Sequence, residues 1–271
     1  MQECLLVEKV LRDMPGGAQT HLALCDDGLH YVIKCPNNPQ GPNVLANEFI
    51  GSSLLNAIGL PTSEWRFARY PSKHNCSFNF RHGTHVVLPK CRLHFASRVL
   101  TPSSKGRLYS YLPDLFIERV ENRSAFIGAL VFDIFARSLD PRQAVYVEDH
   151  IKRTFRAVFI DNGHLFGGPN WNFDVPGKSA LCLQRTIYPE VFDLASIEGW
   201  ITRIETTIPD LLSIVLGAVP KQWYKGEIAC LRDRLDGRAA SLRSIFWDEI
   251  SHYKHPTYLS IGRVHDRDAR A

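Results

Sequence analysis

The interpretation of this sequence depends on the stretch AVFIDNGHLFGG, residues 157–168, and on the role of its aspartate. Its apolar first half predicts a β-strand that ends at Ile160, and an aspartate follows directly. Asn162 and Gly163 are residue types that tolerate the positive φ angles of tight turns, so a hairpin turn is the simplest interpretation. A carboxylate at the end of a strand is also a suitable ligand for a hard divalent metal ion. The rest of the chain must therefore show whether Asp161 belongs to a turn or to a metal site.

The composition is that of a globular protein, since 45% of the 271 residues are hydrophobic and 22% are charged. No apolar run reaches the ~18 residues of a membrane-spanning helix, and the charged N-terminus lacks the order of a signal peptide. The seven cysteines contain no CxxC pair, which argues against a disulfide framework and predicts a cytoplasmic protein. The net charge of +4 is scattered along the chain, which argues against nucleic-acid binding and suits an anionic ligand.

The predicted elements divide the chain into two unlike parts. Residues 1–90 contain mainly strands around one helix, from Val44 to Ile58, and residues 91–271 contain mainly helices around a β-hairpin. The hairpin joins 143–147 to 155–160. This pattern predicts an α+β fold, and a cleft between two unlike parts is a natural ligand site. The expected helices of the second part cover residues 125–139, 190–206, 209–217 and 223–249.

The first part contains candidates for phosphate binding. Lys34 ends the strand YVIK, and Glu48 lies in the helix that follows, so its carboxylate can pair with the ammonium group and aim it at phosphates. Gly16 and Gly17 allow the backbone to approach a ligand closely and to direct amide N–H groups at phosphate. Each feature alone also has a simpler explanation, namely a solvated lysine, a surface glutamate and an ordinary turn.

The second part contains candidates for phosphoryl transfer. Asp140 either begins a turn or serves as the base that orients a substrate hydroxyl for attack on a γ-phosphoryl group. Beside it, Arg142 can neutralise developing charge, and Gln143 can offer a neutral oxygen to magnesium. Asp161 lies 21 positions after Asp140 with one hairpin between them, which places both carboxylates at the same end of that hairpin. Asp161 is therefore the predicted magnesium ligand.

The order of these features resembles that of the HipA-like kinases. A glycine loop, a strand lysine, a helix glutamate, a loop aspartate, a hairpin and a strand-end Asp-x-Gly follow one another over roughly residues 5–250. The segments that carry the resemblance are GGAQ (16–19), YVIK (31–34), NPQGPNVLANEF (38–49), DPRQAVY (140–146), IDNGHLFGG (160–168) and VPKQWY (219–224).

The resemblance implies a protein-kinase-like two-lobed fold with ATP and Mg²⁺ as cofactors and Ser/Thr protein kinase activity. Residues 1–90 would form the nucleotide-binding N-lobe, and residues 91–271 would form the C-lobe with the catalytic loop and the metal site. The resemblance also implies Lys34 as the phosphate lysine, Asp140 as the catalytic aspartate and Asp161 as the magnesium aspartate. The nucleotide would contact Gly16, Gly17, Gln19, Lys34, Glu48, and the backbone from Leu88 to Cys91 at the adenine edge.

Two positions depart from the family pattern. Five residues after the catalytic aspartate the family has an asparagine that binds a second metal ion, and this sequence has Val145, which cannot bind one. Asn162, rather than phenylalanine, follows Asp161. Three functions therefore stay open: a protein kinase, a nucleotide-binding pseudokinase that transfers no phosphate, and a small-molecule kinase. The sequence specifies neither the phosphoacceptor nor a toxin role of the kind that long members of the family have.

Overall fold

The computed structural model describes residues 4–14, 20–36, 39–71, 93–101, 106–175, 180–182, 184–188 and 193–252, together with the backbone of 77–79 and 85–87. Several predicted nucleotide contacts lie outside the described residues, namely Gly16, Gly17, Gln19, Leu88 and Cys91. The predicted boundary between residues 90 and 91 also lies outside them. Within the described part of the chain, no helix is both long and apolar enough to cross a bilayer.

The N-terminal part is rich in strands, as the sequence predicts. Its elements are β1 (Leu5–Asp13), β2 (Thr20–Cys25), β3 (His30–Lys34), α1 (Val44–Ala57), β4 (Trp65–Arg69), β5 (Ser77–Asn79), β6 (His85–Val87) and β7 (His94–Arg98). Five of the strands close into a barrel in the order β1-β2-β3-β7-β4, with a parallel contact between β1 and β4. Because alternate side chains of each strand point inward, the barrel encloses a small apolar core. Its members are Leu5, Val7, Ala23, Cys25, Tyr31, Ile33, Ala68 and Ala96.

The C-terminal part is mainly helical. Its elements are β8 (Leu108–Tyr109), α2 (Ala125–Phe135), β9 (Gln143–Asp149), β10 (Thr154–Ile160), α3 (Leu194–Gly217), α4 (Ile228–Ala240) and α5 (Leu242–Ser251). All residues of α2 are buried, as expected for a helix that is apolar on every side. The predicted hairpin is confirmed: β9 and β10 pair from Gln143 opposite Ile160 to Asp149 opposite Thr154.

Three helix predictions in this part are wrong in their boundaries. The predicted helices 190–206 and 209–217 correspond, over the described residues, to the single helix α3 (Leu194–Gly217), which continues through Pro209. A proline in a helix lacks one hydrogen bond, but a buried stripe of apolar side chains on α3 outweighs this loss. The stripe consists of Ile197, Ile201, Ile204, Ile208, Leu212 and Leu216. The predicted helix 223–249 is two helices, because Ser241 has a non-helical φ of −115° between α4 and α5.

Trp223 joins the helical part to the barrel. It lies in a 3-10 turn (Lys221–Trp223) within the VPKQWY motif, and only 1% of its surface is exposed. Its indole ring packs against Phe49 of α1, Phe67 of β4 and Phe95 of β7. The indole N–H donates a hydrogen bond of 2.9 Å to the carbonyl oxygen of Leu93. The barrel and α1 therefore pack against a side chain that comes from the C-terminal part of the sequence.

Candidate active site

Lys34 is the centre of the site. The lysine ends β3, is almost completely buried, and donates hydrogen bonds from Nζ to two carboxylates. One is Oε1 of Glu48 in α1, and the other is Oδ1 of Asp161, at 2.9 Å, directly after β10. The structure thus brings together three candidate site residues that lie in three separate segments of the sequence.

The charges of Lys34 and Asp161 stabilise each other, whereas burial raises the pKa of Glu48 and the Asp161 charge adds to this effect. Burial alone would lower the pKa of Lys34, but the carboxylates of Glu48 and Asp161 outweigh burial and raise that pKa. Partial burial would likewise raise the pKa of Asp161, but the Lys34 ammonium outweighs it and lowers that pKa to about 2. Asp161 is therefore a carboxylate and Lys34 an ammonium group at neutral pH.

The backbone at Asp161 differs from the turn that the sequence suggests. Asp161 itself has a positive φ of 62°, whereas Asn162 and Gly163 do not have positive φ angles. Aspartate is one of the few residues other than glycine that visit the left-handed region readily. Gly163 is needed for space instead: a β-carbon there would lie 2.9 Å from Cγ1 of Val44 and 3.1 Å from Oε1 of Glu48. The DNG motif thus lets the backbone approach α1 closely, and its glycine does not form a turn with positive φ.

Gln143 lies beside Asp161 because it pairs with Ile160 at the base of the hairpin. Its side-chain amide donates a hydrogen bond of 3.0 Å to Oδ2 of Asp161. Val145, two residues further along β9, pairs with Val158 inside the sheet. On strand β9, the side chain that adjoins Asp161 is therefore that of Gln143 and not that of Val145.

Asp140 lies in the loop between α2 and β9, and 41% of its side chain is exposed. Its Oδ2 is 3.5 Å from Nδ1 of His164, a residue that the sequence analysis did not select. His164 is also close enough to Asp161 to help lower the pKa of that carboxyl. Its Nε2 is buried and has no hydrogen-bond partner within the described residues. The position of His164 in the opening stretch, three residues after Asp161, was the available signal.

Arg142 points into the protein rather than into the open site. It is 4% exposed, and its Nε and Nη2 donate to both carboxylate oxygens of Asp133 in α2. Burial alone would lower the pKa of Arg142, but the Asp133 carboxylate raises it. Its Nη1 donates a hydrogen bond of 2.7 Å to Oδ1 of Asn162, whose amide in turn donates to Oγ of Ser52 in α1. Arg142 thus links α2, the residue after Asp161 and α1.

No family model matches the chain, and no curated protein matches it in sequence. Solved structures of kinases match its fold. The Helicobacter pylori proinflammatory kinase CtkA matches with a TM-score of 0.57 and 12% identity, over 91% of this chain and 98% of that chain. The Golgi casein kinase matches with a TM-score of 0.50 and 11% identity, over 93% of this chain and 74% of that chain. The chain therefore has a kinase-like fold.

Proposed function

We propose that this chain is an ATP- and Mg²⁺-dependent phosphotransferase, a Ser/Thr protein kinase of the HipA-like kind. One observation carries the proposal: the ammonium group of Lys34 contacts both Glu48 and Asp161. A strand lysine held by a helix glutamate, next to a carboxylate that can bind a metal ion, is the arrangement that positions nucleotide phosphates in kinases. The kinase-like fold supports this assignment.

Each group of the site has a role in this proposal. Lys34 binds the phosphates of ATP, and Glu48 holds the lysine in place. Asp161 would hold Mg²⁺, which commonly takes one or two carboxylates together with substrate phosphates and water. Gln143 now directs its amide nitrogen at Asp161, so it would join the ion only by turning its amide oxygen toward it. The low pKa of Asp161 keeps its carboxylate ionised for this purpose. Bound Mg²⁺ would neutralise charge on the phosphates.

Asp140 acts on the acceptor hydroxyl. Its partly exposed carboxylate orients the hydroxyl oxygen toward the γ-phosphorus and accepts the proton. The oxygen–phosphorus bond forms as the bond between the γ-phosphorus and the bridging oxygen breaks, and ADP leaves. Arg142 is hydrogen-bonded to Asp133 and Asn162. We therefore propose that Arg142 positions Asn162 and does not contact phosphate directly.

The lobe division belongs to the same proposal. Because β7 pairs with both β3 and β4, we assign the described strands up to Arg98 to the N-lobe. The nucleotide contacts proposed at Gly16, Gly17 and Gln19 lie in the connection between β1 and β2. Those proposed at Leu88 and Cys91 precede β7 in the sequence, and therefore precede the last strand that we assign to the N-lobe.

A nucleotide-binding module without phosphotransfer is the second candidate, and Val145 favours it. The valine side chain cannot bind a metal ion, and its place in the β9–β10 ladder leaves Gln143 as the neighbour of Asp161. A protein with a single metal-binding carboxylate can bind ATP and yet transfer its phosphate slowly or not at all.

The experiment measures transfer from radiolabelled ATP with Mg²⁺, to the chain itself, to a generic protein acceptor and to a small-molecule extract. The variants are Asp140→Ala, Asp161→Ala and, as a matched control, Asp210→Ala, an exposed aspartate in α3. Transfer that is lost in the first two and kept in the control supports the kinase. A rise of the melting temperature with millimolar Mg·ATP but no transfer supports the second candidate, and no rise excludes both.

A further inference from the structure

One side of α1, from Val44 to Ser52, faces residues 161–168. The residues on this side recur at the helical spacings of three and four positions. They are Val44, Asn47, Glu48, Gly51 and Ser52. All of them are buried, although three are polar or charged. Buried polar groups in a helix require partners, and here residues 161–168 provide many of them.

Asn47 makes the densest set of contacts. Its Nδ2 lies 2.9 Å, 3.0 Å and 3.2 Å from the carbonyl oxygens of Gly163, Leu165 and Gly168. Its Oδ1 accepts a hydrogen bond of 2.7 Å from the indole N–H of Trp171. The side chain is completely buried, so these contacts replace all of its contacts with water. Both ends of one amide group thus hold the segment that begins at Asp161.

Two glycines bring the backbones together. A β-carbon at Gly51 would lie 2.6 Å from Cδ1 of Leu165 and 2.7 Å from Cβ of Asn162. A β-carbon at Gly163 would press on Val44 and Glu48 from the opposite side. A side chain at either position would separate the two segments. The two glycines and Asn47 therefore maintain the same contact, that between α1 and residues 161–168.

We propose that Asn47 is a positioning residue that joins α1 to residues 161–168, so that the phosphate and metal groups are assembled in the free protein. Glu48 is the next residue in α1, and Asp161 begins the segment that Asn47 holds. Moving α1 away would therefore separate Glu48 from Lys34 and remove the Asn47 amide from three backbone carbonyls. The carbonyls of Leu165 and Gly168 also accept from backbone N–H groups, so the Gly163 carbonyl would be the most affected. The inference rests on the proposed function and adds that its activity needs no prior movement of α1.

The test compares two variants with matched controls. Asn47→Ala removes the hydrogen bonds, and Gly51→Ala keeps them but adds a methyl group against Asn162 and Leu165. The controls are Asn56→Ala, an exposed asparagine in the same helix, and Gly199→Ala, where a β-carbon would meet no atom within 4 Å. Each protein is tested for phosphate transfer from ATP and for amide hydrogen exchange over residues 161–168, with α3 as the internal reference.

We expect kcat to fall roughly 10- to 100-fold in both variants, and the KM for ATP to change less than about threefold, because small displacements of positioned groups have effects of this size. Exchange over residues 161–168 should become roughly tenfold faster while exchange in α3 stays unchanged, which separates a loss of positioning from unfolding. If Asn47→Ala does not fold, Gly51→Ala carries the test.

Variants that keep the kcat and the exchange rates of the wild type overturn this inference and leave the proposed function intact. If the wild-type protein transfers no phosphate, the proposed function fails. The exchange rates then still decide whether Asn47 joins α1 to residues 161–168, so the two failures are distinguishable.

Discussion

Lys34 is the residue on which the electrostatics of the site depend. Only 2% of the Glu48 surface is exposed, and burial already raises the pKa of its carboxyl. Without the ammonium group, Glu48 would have to stay charged without a partner or take up a proton. We expect Lys34→Met to lower the free energy of unfolding by about 3–5 kcal/mol, because one partner of a buried ion pair then loses its compensation. The measurement is urea denaturation. The double variant Lys34→Met/Glu48→Gln should recover part of the loss.

The exposed Lys9 provides the control, since Lys9→Met should change the free energy of unfolding by less than about 0.5 kcal/mol. A double variant that is no more stable than Lys34→Met alone would contradict the argument, because the unpaired carboxylate would then not be the source of the loss.

Asp161 makes stability depend on pH in a defined window. The pKa of its carboxyl is about 2 in the folded protein, against an ordinary value of 3.8. A lowered folded pKa means that the carboxylate contributes stability above the ordinary value, and that this contribution is lost as pH falls from about 4 toward 2. We expect the wild type to lose stability more steeply than Asp161→Asn in this range. Denaturation at a series of pH values measures both slopes, and equal slopes would disprove the assignment.

At this scale the sequence predicted that Lys34 and Glu48 would meet, but it did not predict every contact. The pairing of Lys34 with Glu48 was expected from a strand lysine followed by a helix glutamate, and the structure confirms the contact. The orientation of Arg142 was not expected, because its partner Asp133 lies in a helix that is otherwise apolar. A sequence pattern shows that a charge is present but not which of several neighbours it meets.

At the scale of elements, close helix contacts are set by glycines. Gly128 of α2 packs against Trp200 of α3, and a β-carbon at this glycine would lie within 2.5–2.7 Å of the indole ring. We expect Gly128→Ala to destabilise the protein by about 1–3 kcal/mol, because the rigid ring must move, although alanine is the better helix former. Thermal or urea denaturation measures the change.

Gly237→Ala is the matched control, since this glycine lies in α4 and a β-carbon there would meet no atom within 4 Å. It should raise the free energy of unfolding by about 0.5–1 kcal/mol, which is the helix preference of alanine over glycine. A stabilising Gly128→Ala would show that α2 and α3 can separate without cost.

Elements with a strong local pattern were predicted well. The spacing of apolar residues predicted α1, and two strand-like segments joined by a charged turn predicted the β9–β10 hairpin. The helices after residue 190 are predicted less well, because Pro209 indicates a helix boundary that the structure does not have. Local preference disfavours proline in a helix, but the packing of a long apolar stripe is a stronger effect that is formed only with neighbouring helices.

At the scale of the whole molecule, Trp223 holds the barrel against the helical part. We expect Trp223→Ala to lower the free energy of unfolding by about 3–5 kcal/mol, as is usual when a large aromatic side chain is removed from a core. Because the lost contacts join the two parts, fluorescence and circular dichroism should then follow different denaturation curves. A variant that loses stability but keeps coincident curves would show that the two parts remain joined by other contacts.

The sequence by itself determined α1, the β9–β10 hairpin and the chemical groups of this protein, but not the boundaries of the helices after residue 190. Strand and helix periodicity depend on neighbours a few residues apart, and so does the placement of Asp161 at the end of a strand. Only the tertiary structure decided what these groups contact. Lys34 meets Asp161 across 127 positions, and Asn47 meets Gly163 across 116. Contacts over such separations depend on how barrel, helices and hairpin pack together, and no local pattern in the chain encodes that packing.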